Sequence, residues 1–176
     1  MAEKIQQRIG EIKSADNIEQ MIKFSIGRCH CLKADRKDEF AVDLIHHIGV
    51  SFLHGASFID RKHIVLGLTV REKDADKFWF SLFHEIHHII EGHISMIDRT
   101  TNKEEKEADM FACDTLIHHE DYIRFLNQND YSKEAIVGFA KNINIASGIV
   151  VGRLQKANVI VFNRYNELKV KYMIKD

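Results

Sequence analysis

Proline is absent from all 176 residues, where a chain of ordinary composition carries roughly 5%. Helix starts and turns must therefore rely on Ser, Thr, Asn, Asp and Gly, and the easiest marker of a domain boundary is missing. Cysteine is scarce too. Three cannot all pair internally, and Cys29 and Cys31 stand too close together for a disulfide framework, so free thiols in a reducing cytoplasm are expected. An excess of one charge is lacking: the formal net charge is -1, which offers no global basic footprint for nucleic acid. No segment approaches the uninterrupted apolar length of a membrane-spanning helix. Met1-Ala2-Glu3-Lys4 opens a polar stretch where a secretory signal would be apolar. What is there, with 45% apolar residues, is a soluble cytoplasmic chain able to build one core, with or without an appendage.

Periodicity gives a coarse map. Residues 3–25 read as a helix, with Ile5, Ile9, Ile12, Ile18, Ile22 and Ile26 on an apolar side and Gly27 as its stop. Residues 28–38 are basic and polar, and 39–48 form a short helix or a strand. Strands are expected over 49–53 and 63–69, with polar and glycine punctuation between them. Asp74 can cap a helix that runs to about Ile90, with Gly92 at its C-terminal cap. After a polar loop over 98–103, helices are expected over 104–118, 122–127, 132–142 and 147–155. Short strands over 159–162 and 168–173 would finish the chain. The fold class is α+β, a small sheet with a mainly helical second half.

The chemistry concentrates in His84-Glu85-Ile86-His87-His88. His-Glu-x-x-His on a helix is a motif with a mechanism. Positions i and i+4 stand one above the other, so His84 and His88 can grip one metal ion. Glu85 is rotated by roughly 100° from His84, at the edge of the metal face, where it can reach a metal-activated water as general base. Leu82, Phe83, Ile86, Ile89 and Ile90 fall on the opposite side, so the core should take that side and the histidines should face a cleft or another element.

A catalytic zinc needs a third protein ligand and an open position for water. Glu105 is the best supplier, because Asp109 follows at i+4 on the same face and can accept the free imidazole N–H of a ligating histidine. Glu104 and Glu107 compete with it. Zinc is the expected ion, although two histidines and a carboxylate also suit Mn2+ or Fe2+. Charge on a tetrahedral intermediate needs donors beyond the metal. Tyr122, His118, His119 and Arg153 are the candidates. His87 and His93 read as surface or supporting residues, and His46, His47 and His54 as structural. Cys29-His30-Cys31 lacks a partner pair at zinc-finger spacing.

At these residues the chain resembles the ImmA/IrrE family of bacterial and phage metallopeptidases. The resemblance starts near Gly55-Ala56-Ser57-Phe58 and includes Phe78-Trp79-Phe80-Ser81-Leu82-Phe83-His84-Glu85. It continues through Glu105-Lys106-Glu107-Ala108-Asp109-Met110-Phe111-Ala112 and on from Ile145 to Gln155. It is nearest to the peptidase-like half of HigA-type antitoxins, without the DNA-binding half. Residues 8–45 resemble a fragment of a HigB/RelE-like toxin, which implies an appendage over 1–48 and a minimal zincin-like peptidase domain over 49–176. The resemblance implies a zinc-dependent endopeptidase acting on a helix-turn-helix repressor or an antitoxin, in a toxin–antitoxin setting. Where relatives often carry Pro, this chain has His118 and Ser147; these changes touch caps and turns, not the proposed ligands.

Two rival functions follow from the same residues. One is a regulator of zincin fold with little or no turnover that binds a toxin, antitoxin or repressor. The other is DNA binding, from a rough helix-turn-helix rhythm over 132–154. That rhythm has only Arg153 and Lys156 for phosphate contacts.

Overall fold

A computed structural model describes residues 40–45, 55–60, 63–69, 74–94 and 100–171. The expected helix over 3–25, the strand over 49–53 and the Cys29-His30-Cys31 cluster lie outside the described residues. Strand β1 (Phe40–Ile45) pairs in parallel with β3 (His63–Thr69), and β2 (Gly55–Asp60) pairs antiparallel with the other side of β3, giving the order β1-β3-β2. The stretch read as punctuation between two strands is thus itself a strand. Gly55-Ala56-Ser57 alternates small residues with too little apolar contrast to register as period 2. β1 comes from the segment ahead of residue 49 and joins the same sheet.

Among the described residues five α-helices follow: α1 (Ala75–Glu91), α2 (Asn102–Leu116), α3 (His119–Asn127), α4 (Lys133–Asn142) and α5 (Ser147–Lys156). Each lies within about three residues of its expected position. α1 ends as its sequence demands. Gly92 adopts φ 76°, a left-handed conformation that a Cβ would strain, and the His93 N–H donates back to the His88 carbonyl at 2.8 Å. Asp74 occupies the N-cap position in extended backbone, but its side chain makes no capping hydrogen bond.

α1 is the hub. Phe78, Trp79, Leu82, Phe83, Ile86 and Ile89 are all nearly fully buried. Phe78 and Trp79 meet edge to face at 5.4 Å, and Trp79 stacks on Phe83 at 6.3 Å. Truncating Trp79 to alanine would cost about 3–5 kcal/mol on lost burial and the cavity left behind. Leu66 and Leu68 of β3, and Val150, Val151 and Leu154 of α5, complete the same core. No single helix among the described residues is long and apolar enough to cross a membrane.

The tail departs from expectation. Residues 159–165 form turns, followed by a short 3-10 turn (Asn166–Leu168), and the strand-like contact there is one isolated antiparallel bridge between Lys171 and Asp74. Side-chain hydrogen bonds override the apolar pattern. Gln155 Nε2 donates to the Arg164 carbonyl at 2.9 Å and to Asn166 Oδ1 at 3.0 Å, which folds the chain back onto α5.

Candidate metal centre

The apolar stripe of α1 fixes where its polar residues go. With Leu82, Phe83, Ile86 and Ile89 turned into the core, His84 and His88 face α2, and Glu85 faces β2. The histidine side is not open surface: His88 is 4% exposed and Glu85 9%. These groups stand on the wall of a cavity of about 730 Å³ that also reaches Ser57, Phe80, Glu105 and Phe162.

α2 begins with a capping box. Thr101 Oγ1 accepts from the Glu104 N–H at 3.3 Å, and Glu104 Oε2 accepts from the Thr101 N–H at 2.6 Å. The box commits Glu104 and holds its carboxyl below the ordinary carboxylate range. Glu107 is exposed and lies 3.6 Å from Lys103. Glu105, the next residue round the first turn, is the acid that meets the histidines. Its Oε2 lies 3.2 Å from His84 Nε2, and its Oε1 lies 3.6 Å from His88 Nε2. Thr100 Oγ1 donates to the same carboxylate.

The two Nε2 atoms are 3.1 Å apart. Two imidazole lone pairs at that distance repel unless a proton or a cation lies between them. Tetrahedral ligation at roughly 2.0–2.1 Å would set two nitrogens about 3.3 Å apart. One ligand atom from each of His84, His88 and Glu105 falls within 4.8 Å of the others. Burial, then the neighbouring His84, pulls the His88 imidazole below its ordinary pKa, so it is neutral with a lone pair to give. His84 Nδ1 lies 3.0 Å from Asp109 Oδ1, which places its proton on Nδ1 and leaves Nε2 as the donor atom. Two imidazoles and a carboxylate, with a second carboxylate behind one imidazole, are a donor set that fits a divalent ion. His87 and His93 take no part in that set; their rings pack at 6.4 Å from each other beside it.

Glu85 is held from β2. Ser57 Oγ donates to Glu85 Oε2 at 2.8 Å. Two residues earlier on the same strand face, Gly55 backs onto the Glu85 side chain so closely that a Cβ there would sit 2.8 Å from Glu85 Cγ. Burial pushes the Glu85 carboxyl above the ordinary carboxylate range, against the lowering effect of Ser57 and His84. Sequence reasoning assigned Ser57 no role. The period-2 placement of Gly55 and Ser57 was the only local signal.

Of the four residues expected to stabilise developing charge, Arg153 lines the cavity and the other three do not. His118 and His119 are exposed at the start of α3, and neither they nor Tyr122 line the cavity among the described residues. Tyr122 is buried beneath Arg153, whose guanidinium carbon lies 4.0 Å from the ring centroid. Arg153 reaches the cavity wall, but its nitrogens serve the end of α2. It donates to the Cys113 carbonyl at 2.7 Å, to the Ile117 carbonyl, and to Asp114 Oδ1 at 3.0 Å.

A protein-family model, Peptidase M78, described as the IrrE N-terminal-like domain, matches residues 36–155, about two thirds of the chain. No curated protein matches the chain.

Proposed function

Because the chain belongs to the Peptidase M78 family of IrrE N-terminal-like domains, we propose that it is a zinc-dependent endopeptidase of minimal zincin architecture. Its substrate is a regulatory protein, either a helix-turn-helix repressor or an antitoxin. The observation that carries the reading is the convergence of His84 Nε2, His88 Nε2 and the Glu105 carboxylate beside a buried glutamate. We place the peptidase domain over 49–176, with β1 lent to its sheet by the 1–48 appendage.

His84, His88 and Glu105 would hold the ion, with Mn2+ or Fe2+ as alternatives to Zn2+. What zinc supplies when bound is Lewis acidity, which activates water and polarises the scissile carbonyl. With the ion bound, Glu85 would be placed to take a proton from the attacking water and return it to the leaving amine. Its raised proton affinity suits it to both steps, because a general base works best with a pKa near the working pH. Ser57 orients the carboxylate through its hydroxyl. β2 is an edge strand of the described sheet, so an extended peptide can add beside it and pass over Glu85.

Packing supports this reading over DNA binding. α4 and α5 meet at 116°, close to helix-turn-helix geometry, but Ile149, Val150, Val151 and Leu154 of α5 are buried. Both basic residues of α5 are engaged, Arg153 at the end of α2 and Lys156 with Asp109 at 2.9 Å.

The first test is metal content. Wild type and Glu85→Gln should each carry one equivalent of zinc, and Glu105→Ala should carry none. Wild type should then cut a helix-turn-helix repressor at one bond, read by mass spectrometry, while Glu85→Gln leaves it intact. A wild-type protein that stays metal-free in added zinc would overturn the peptidase reading. Full metal with no cleavage would leave a binding regulator in its place.

A further inference from the structure

We infer that Lys156 is a positioning residue for the metal centre, acting through Asp109 on His84; the inference rests on the metal-centre reading above. Asp109 has two carboxylate oxygens and two partners. Oδ1 lies 3.0 Å from His84 Nδ1, and Oδ2 accepts from Lys156 Nζ at 2.9 Å. The three residues come from α1, α2 and α5, so one carboxylate ties three helices together at the back of a ligand. Asp109 is 41% exposed on its side chain, and a lone carboxylate so placed is free to rotate into water. The ammonium removes that freedom by holding the second oxygen.

Lys156 is itself held. Its Nζ sits 3.6 Å from the centroid of the Phe80 ring, and Phe80 lies one helical turn before His84, with ring centroids 6.2 Å apart. The platform under the ammonium is therefore built on the same helix as the ligand it serves. Lys156 is not among the three candidate ligands and its Nζ bonds Asp109, so its influence on zinc affinity runs through Asp109.

That requirement makes the test a double-mutant cycle on zinc affinity, measured by competition with a chromophoric chelator in the full-length protein. Lys156→Met keeps the aliphatic stem on Phe80 and removes the charge. Lys156→Met should weaken zinc binding about tenfold, and Asp109→Ala about 10–100-fold. The double variant should bind no more weakly than Asp109→Ala alone. Lys156→Arg should restore affinity to within about threefold of wild type. The visible spectrum of the Co2+-loaded protein, which reads ligand geometry, should change in Lys156→Met and recover in Lys156→Arg. Lys156→Met within twofold of wild type, or losses that simply multiply in the double variant, would overturn the inference. A wild-type protein that binds no zinc would instead overturn the metal centre itself, so the two failures are distinguishable. Circular dichroism of each metal-free variant separates loss of the fold from loss of the site.

Discussion

A missing side chain at residue 55 matters as much to the site as the residues that carry chemistry. Gly55 leaves room for Glu85, and a Cβ there would sit 2.8 Å from Glu85 Cγ and 3.2 Å from Glu85 Oε1. Real Cβ atoms do not approach that closely, so Gly55→Ala must push the glutamate towards the cavity or bend the edge strand. Misplacing a proton-transfer group by about 1 Å can cost on the order of 10²-fold in rate. Gly55→Ala should therefore retain one equivalent of zinc and lose about 10²-fold in cleavage, with stability reduced by about 1–3 kcal/mol for the overpacked contact. Loss of zinc with the activity would mean that the strand, and not the glutamate, had moved. At this scale the sequence was legible where a motif compresses the site into one turn of helix, as in His84, Glu85 and His88. It was silent where partners are far apart in the chain. Ser57 and Glu85 are 28 residues apart, and Lys156 and Asp109 are 47 apart. Neither pair leaves a local trace.

Helix ends position more of this molecule than helix propensities do. The Thr101 capping box sets the phase of α2 and decides between two adjacent acids: it occupies Glu104 and presents Glu105 to the histidines. Thr101 followed three residues on by Glu104 is visible in the sequence, where the i+4 pairing with Asp109 favours Glu105; the closed box adds the reason that Glu104 is not free. The other end of α2 explains Arg153. The last carbonyls of a helix lack intrahelical donors, and Arg153 supplies them from α5 while stacking on Tyr122. Arg153→Met should cost about 1–3 kcal/mol in urea denaturation, since it strands the Ile117 carbonyl and takes a charged donor from Asp114, while the Cys113 carbonyl keeps the Ile117 N–H. If Arg153 serves α2 in this way, catalytic rate in the folded fraction should change little. A fall in rate of about 10²-fold at unchanged stability would instead restore it as a donor to the reacting carbonyl. Helix positions were legible because each apolar stripe repeats at 3.6 residues. What finishes the last turn of α2 depends on a residue brought in from α5.

Across the whole molecule, the end of the described chain closes over the start of its central helix. The Ala75 N–H, one of the donors that a helix start leaves unpaired, donates to the Val170 carbonyl at 2.8 Å. Lys169 Nζ meets Asp76 Oδ2 at 2.8 Å with both side chains more than nine-tenths buried. Two glycines on α5 make the approach possible. A Cβ on Gly148 would stand 2.8 Å from Lys169 Cα, and one on Gly152 would stand 2.3 Å from Asp76 Oδ2. Each glycine costs α5 about 1 kcal/mol of helix propensity, which the docked tail must offset. None of this could be read from the tail, whose apolar residues suggested strands. Val161 and Phe162 are in fact largely exposed, and the binding is done by a lysine and by backbone. A buried ion pair contributes little net stability but is costly to break from one side. Lys169→Met should therefore lose about 3–5 kcal/mol in urea denaturation, because it leaves Asp76 buried without its cation. Asp76→Leu combined with Lys169→Met should recover most of that loss, because no unpaired charge remains. If the double variant is as unstable as the two single losses summed, the tail is held by its backbone contacts and the charges add nothing to its register. Because Lys169 and Asp76 line the same cavity as His84 and Glu85, recovery in the double variant should also restore the zinc affinity that Lys169→Met loses through loosening of α1.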